Sequence, residues 1–326
     1  MQTQRNASAP TGKQRSARPR SGGRGEPGPV LLGEGALEHY ATDGYLVLRG
    51  VLAQREIEAL REACDAPGIG PESRRRGADE KLLHLLEATA RDSRLLEIAR
   101  DERLTLPVSQ LLGPDLVLQH SKLATKPPVV GRGEARWHQD FAFFPHTNSS
   151  LLAAMLWLDD ASSDNGCLHV LPGSHLAGPL AHDDDGYFSG ACSDLPADAD
   201  ARQVALPVRA GDVTLHHCLA LHRSPENTSG QPRRALVLQY RAADAYQLGG
   251  DVWVDSGLVV RGRASQHVRC DAVRCPLPRR RGLDHPFGSA YQQEGGYARA
   301  HNLRIEHAPA PGAAGGKSLS GQEERR

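Results

Sequence analysis

The chain has 326 residues, 39 basic and 39 acidic side chains, a formal net charge of zero and 39% hydrophobic residues. That length allows a sizeable core, in one large domain or two small ones, and the balanced charge removes any global steering toward nucleic acid or an anionic membrane. No stretch approaches the roughly 18 apolar residues of a bilayer span, and the N-terminal stretch lacks the apolar core of a secretory signal. The expectation is a cytoplasmic protein whose partner is a small-molecule substrate, with no nucleic acid and no membrane; the sequence fixes no oligomeric state. The six cysteines, at 64, 167, 192, 218, 270 and 275, form no C-x-x-C pair and are expected as free thiols.

Residues 1–30 are rich in Arg, Ser, Gly and Pro, and residues 308–326 in small and polar side chains. Both lack the apolar surface that offsets ordering entropy and are expected as disordered tails around one domain at 31–307. A helix is expected at 34–42, ending near Gly44, then a strand at 45–50 (YLVLRG) and a helix over Gln54–Cys64 with Ile57 and Leu60 inward. Residues 81–112 also read as helical. From 116 the period changes: LVLQHSKLATK, LLAAMLWLDD, CLHVLPG, DVTLHHCLALH and RALVLQYRAA are short β-rich runs separated by Gly, Pro, Asn and Asp. This is the pattern of an antiparallel sandwich or barrel.

WHQDFAFF, residues 137–144, opens one of these runs. In a strand, residues two apart share a face, so His138 and Asp140 could hold one metal ion; by itself, however, an H-x-D triplet is common by chance. An iron(II) site that activates oxygen needs two imidazoles and a carboxylate on one octahedral face, leaving the other positions open. A second histidine should therefore lie far downstream on another strand. GDVTLHHCLALHRSPENTSGQPRRALVLQY offers His216, His217 and His222, followed by Arg233 and Arg234.

The ordered set HQD, NGCLHVLPGSH (165–175), GD (211–212), H-x-S-x-x-N (222–227) and an arginine eleven residues past the histidine resembles the phytanoyl-CoA dioxygenase family. The likeness runs from about 37 to 300, including the opening ATDGYLVLRGVL. It implies a mainly β fold with flanking helices, a double-stranded β-helix or jelly-roll barrel, with Fe(II), 2-oxoglutarate and O2 as cofactors. It also implies that His138, Asp140 and His222 bind the iron and act as the catalytic centre. Arg233 would pair with the distal carboxylate of 2-oxoglutarate, where a fork-shaped guanidinium suits a planar anion, and Ser224 would add a hydrogen bond there. Arg223 departs from the glycine usual after the distal histidine and either alters the site mouth or, as the favoured reading, faces solvent. His217 stands sixteen residues before Arg233 rather than eleven, and Arg234 has the opposite strand parity.

Other positions carry two readings each. His120, Lys122 and Lys126 share a parity on a strand that lines the co-substrate pocket in relatives, so Lys122 or His120 is a candidate contact to 2-oxoglutarate; exposed polar residues are the alternative. Met155 and Trp157 share a face where relatives carry a tryptophan over the co-substrate, or else are core. Phe141, Phe143 and Phe144 are pocket wall or core, and His175 closes a turn. Residues 178–192, with His182 and Asp183–Asp185, read as a lid or substrate loop rather than a second metal site. Residues 266–292 are expected over the barrel opening, with Arg279–Arg281 solvated or meeting an anionic substrate.

The activity implied is hydroxylation of an unactivated C–H of a small natural-product or amino-acid-derived molecule, with succinate and CO2 as co-products. The same cofactors also support desaturation, epoxidation or ring formation, and a non-catalytic metal-binding sensor is the reading from another class. Asp140 argues against halogenation, since related halogenases carry Ala or Gly at that place.

Overall fold

The structure is a computed structural model that describes residues 27–66, 69, 82–126, 134–249, 253–272, 274–276, 278–279 and 303–306. Apart from residues 27–30, the two expected tails lie outside the described residues, as do Arg280, Arg281 and the rest of 280–302. The helical front is α1 (Glu34–Asp43), α2 (Gln54–Asp65), α3 (Ser93–Arg100) and α4 (Glu102–Leu112). Gly44 ends α1 in the left-handed conformation at φ 80°, and the Asp92 and Asp101 carboxylates cap α3 and α4 by accepting from the amides of Arg94 and Arg103.

The strands are β1 (Tyr45–Leu48), β2 (Leu82–Leu86), β3 (Leu116–Lys126), β4 (Ala135–His138), β5 (Leu151–Trp157), β6 (Leu168–Val170) and β7 (Asp183–Asp184). They continue as β8 (Tyr187–Phe188), β9 (Val204–Leu206), β10 (Val213–His217), β11 (His222–Ser224), β12 (Arg233–Ala242), β13 (Leu258–Arg261) and β14 (Leu303–Glu306). The larger sheet runs β1-β10-β5-β12-β3-β2-β14, with β13 also on β3; the smaller runs β4-β11-β6-β9. All pairings are antiparallel except β14 with β2. This is the jelly-roll barrel.

Strand alternation divides the larger sheet's side chains. Leu152, Ala154, Leu156, Val213, Leu215, Leu236, Leu238 and Tyr240 point out and pack against Ile57, Leu60, Leu95 and Leu104 of the helices. Ala153, Met155, Trp157, Ala235 and Val237 point in, toward Leu168 and Val170 of the smaller sheet.

Two expectations are corrected. KLLHLL does not begin a helix: residues 82–86 are β2, paired with β3 from Leu83 opposite Thr125 to Leu86 opposite Lys122. A short apolar run carries no period of its own, and the open edge of β3 decides it. Nor does HQD open a strand, because β4 closes at His138 and Asp140 starts a 3₁₀ turn over Asp140–Ala142.

Leu238 is fully buried between sheet and helices on the central strand β12. Leu238→Ala is expected to cost about 2–5 kcal/mol, read as a lower midpoint in urea with an unchanged slope.

Candidate functional site

β4 and β11 set the histidines. His222 lies directly opposite His138 in the antiparallel register, and the two ring centroids are 4.1 Å apart. Each Nδ1 meets a backbone carbonyl two residues earlier, His138 with Arg136 O at 2.7 Å and His222 with Ala220 O at 2.9 Å. Donating there leaves both Nε2 lone pairs facing the barrel interior. The 3₁₀ turn brings the third group round: Asp140 Oδ1 lies 3.8 Å from each of the two Nε2 atoms. The three ligand atoms lie within 4.8 Å of one another, and among the described residues no other group of histidines, cysteines and carboxylates is so placed.

The other carboxylate oxygen is held from the larger sheet. Gln239 Nε2 donates to Asp140 Oδ2 at 2.6 Å, and His216 Nε2 lies 3.2 Å from the same atom. Burial raises the Asp140 pKa, but His222, the hydrogen bond from His216 and Lys122 outweigh it and hold the carboxyl well below the usual range. Burial and then His216 pull His222 down to about 4. The carboxylate is therefore ionised and the His222 imidazole neutral at neutral pH, the protonation states a hard or borderline divalent cation needs.

The inward side chains of the larger sheet form rows. Strand register places His216, Ala153, Gln239 and His120 in the first row, and Thr214, Met155, Val237 and Lys122 in the second. Trp157, Ala235, Ala124 and His84 form the third, with Arg233 and Lys126 in the last. At this far end Arg233 is 2% exposed and stacks 5.1 Å over the Trp157 ring. Its Nη2 donates to Gly166 O and Ser224 Oγ, while Nε and Nη1 have no hydrogen-bond partner. Two unpaired donors on a buried guanidinium make a socket for a carboxylate. Lys126 Nζ donates to the carbonyls of Ser224 and Pro225. Gly166, at φ 80°, admits this packing because a Cβ there would run into Lys126 Nζ and Pro225 O.

A cavity joins the two ends, lined by His138, Asp140, His222, His216, Lys122, Lys126, Arg233, Ser224, Met155 and Arg223, among others. The metal triad, Arg233, Ser224 and Lys122 are thus brought together. His120 is not: its ring is held between Phe144, at 5.2 Å, and Trp253, at 4.4 Å, outside the lining. Trp157 reaches the cavity only through Arg233, and its Nε1 is spent on Thr214 Oγ1. Arg223 lines the mouth instead of pointing simply to solvent, with its guanidinium over Trp137 and bonded to Gln203.

Phe141, Phe143 and Phe144 belong to one apolar cluster. His175 is structural, with Nε2 on Ala41 O. Arg234 pairs with Asp159 and Asp65. His182 accepts from the Gln139 amide, and the loop it belongs to forms the β7–β8 hairpin, with Arg279 over Tyr187.

The roles of Gln239 and Gln139 are absent from the motif reading. Gln139 ties the turn to Gly178, Leu180 and Leu219. Its place between His138 and Asp140 was the available signal, whereas nothing local marks Gln239.

A phytanoyl-CoA dioxygenase family model matches residues 40–235. The chain is 32% identical over 263 residues, 73% of its length and 88% of the relative's, to a probable alpha-ketoglutarate-dependent hypophosphite dioxygenase of Stutzerimonas stutzeri. It is 28% identical over 239 residues, 69% of its length and 87% of the relative's, to a methylphosphonate hydroxylase of Gimesia maris. Among solved structures it is similar to the non-heme alpha-ketoglutarate-dependent carbocyclase SnoK from nogalamycin biosynthesis, with TM-score 0.60, 27% identity and coverage of 71% of this chain and 96% of that one.

The site carries two expectations. Gln239→Met removes a donor from Asp140 without touching a ligand atom, so iron(II) affinity, measured against a competing chelator, should fall about 10–100-fold while the thermal midpoint barely moves. Burial also depresses His120, His146 and His217 to about 3 and His182 to about 4, alongside His222. Since these pKa values lie below the usual 6.5, the unfolded chain binds more protons between about pH 6.5 and 3. Stability is full above that window and falls with pH through it, by about 1.4 kcal/mol per pH unit for each histidine. Urea melts of the metal-free protein between pH 8 and 5 check the sign.

Proposed function

The chain belongs to the phytanoyl-CoA dioxygenase family, and from that premise we propose that it hydroxylates an unactivated C–H bond of a small molecule, a natural-product or amino-acid-derived compound, releasing succinate and CO2. It is an iron(II)- and 2-oxoglutarate-dependent dioxygenase. In this reading His138, Asp140 and His222 hold the iron, and Arg233 with Ser224 holds the distal carboxylate of 2-oxoglutarate. Bound iron with 2-oxoglutarate and O2 supplies the oxidising power to replace hydrogen by hydroxyl as the co-substrate loses CO2.

The chain's own residues bind, orient and exclude water. The carbonyls of Arg136 and Ala220 fix the histidine tautomers, and Gln239 and His216 turn Asp140 so that one oxygen faces the histidines. Trp157 supports Arg233 from below. Met155, Val237 and Leu168 dry the wall between the two ends, which strengthens every charged contact inside.

The observation that carries the proposal is the buried Arg233 guanidinium with unpaired Nε and Nη1 on the same cavity as the triad. A barrel that only sensed metal would not need this dicarboxylate socket. The relatives named for hypophosphite and methylphosphonate support a small substrate. Likeness to a carbocyclase keeps ring formation as the second reading.

Anaerobic titration of iron(II) and 2-oxoglutarate into the protein tests this. A visible metal-to-ligand charge-transfer band is expected in the wild type and not in His222→Ala. Arg233→Met should retain iron but weaken 2-oxoglutarate by at least about tenfold, the loss of a charged hydrogen-bonded pair. Iron bound without any band would sink the dioxygenase reading.

A further inference from the structure

The two histidines of the triad rest on a slight backbone pairing. β4 has four residues and β11 three, and after His138 opposite His222 a bulge intervenes before Ala135 opposite Ser224. On the inner face both Nε2 lone pairs and Asp140 Oδ1 converge, which is electrostatically unfavourable until a cation sits among them. Such an arrangement needs support from its other face.

The chain neighbours of the two histidines supply it. By strand alternation Trp137 and Arg223 stand on the face opposite His138 and His222, and the Arg223 guanidinium lies over the Trp137 ring, 5.2 Å from its centroid. Asp200 joins the pair: its Oδ1 accepts from Trp137 Nε1 at 3.0 Å and meets Arg223 Nη1 at 3.4 Å. Gln203 Oε1 accepts from Arg223 Nε at 3.0 Å and meets Nδ1 of His169, the residue opposite Arg223 on β6, at 2.7 Å. The clamp therefore spans β4, β11 and β6. Trp137 is only 6% exposed, so the ring under the cation is fixed and partly shielded from water.

Resting on the reading above, we propose that Arg223 is a positioning residue: stacked on Trp137 and tied to Asp200 and Gln203, it holds β11 against β4 so that His138 and His222 face one metal ion. A guanidinium suits this task because its flat face covers the indole while its edge reaches two acceptors at once. In this role it touches neither metal nor co-substrate; its effect passes along the backbone to His222, one residue away. Removing it leaves every ligand in place but lets the strands part, and metal binding must then restore the pairing at the expense of affinity.

The test is the iron(II) affinity of the full-length protein, measured anaerobically against a competing chelator. Arg223→Met keeps the apolar stem and loses the guanidinium, so affinity should fall about 5–30-fold, the size of a partly shielded cation–π contact. Arg223→Lys, which keeps a cation over the indole, should lose clearly less. Arg61→Met removes a guanidinium of α2 from Leu158 O and Asp159, away from the clamp, and should change affinity less than about twofold. The visible spectrum of the cobalt(II)-loaded protein, which reports ligand geometry, should change in Arg223→Met and not in Arg61→Met. Unchanged iron(II) affinity in Arg223→Met with only a lower thermal midpoint would make the clamp purely structural and overturn the proposal. So would weaker 2-oxoglutarate binding with iron(II) affinity intact, which would assign Arg223 to the cavity it lines. A wild-type protein that binds no iron(II) removes the dioxygenase reading and this proposal together, a result distinct from both.

Discussion

The carboxylate of Asp140 is held between the two sheets of the barrel. Its Oδ2 is held by Gln239 and His216 of the larger sheet, and its Oδ1 is thereby presented to His138 and His222 of the smaller one. Without the first set of bonds a carboxylate on a 3₁₀ turn could rotate. With them, one oxygen remains for a metal, and its direction is set by the distance between the sheets. The apolar packing of Met155, Trp157 and Val237 against Leu168 and Val170 therefore maintains the ligand geometry as well as the core.

The same sheet that steadies Asp140 carries the buried Arg233 guanidinium, with its two unpaired donors, six residues away on one strand from Gln239. Because both ends belong to β12, the distance between them is that of an extended backbone flanked by β3 and β5. The socket depends on the absence of a side chain at Gly166, whose carbonyl accepts from both Ser224 and Arg233. Guanidinium, hydroxyl and carbonyl there orient one another, leaving the two remaining donors aimed at a ligand.

Much of this was legible in the sequence. His138, Asp140, His222, Ser224 and Arg233 are marked by the resemblance of their ordered motifs to the dioxygenase family, and α1 and α2 by Gly44 and by the apolar positions Ile57 and Leu60. What escaped depends on partners far along the chain. LLHLL reads equally well as helix or strand until β3 offers an edge. His120 shares the parity of Lys122, yet Phe144 and Trp253, distant in sequence, take its ring away from the cavity. Gln239 sits in an ordinary strand run, and only the register with Ala153 and His120 shows that it reaches the metal end.

Along β12 the pairing with β3 is regular from Arg233 to Gln239 and then shifts: Gln239 opposes His120, but Tyr240 opposes Leu118. The extra residue, Gln119, turns its amide to His146, Arg241 and Gln247 at the rim of the barrel. Such a bulge acts as an expansion joint. Rim segments beyond it can lengthen, shorten or tilt, and the slack is absorbed at Gln119 before it reaches the rows that space Arg233 from the triad. The barrel can thus be refitted at its open end for a differently shaped guest while the oxidising centre keeps its dimensions.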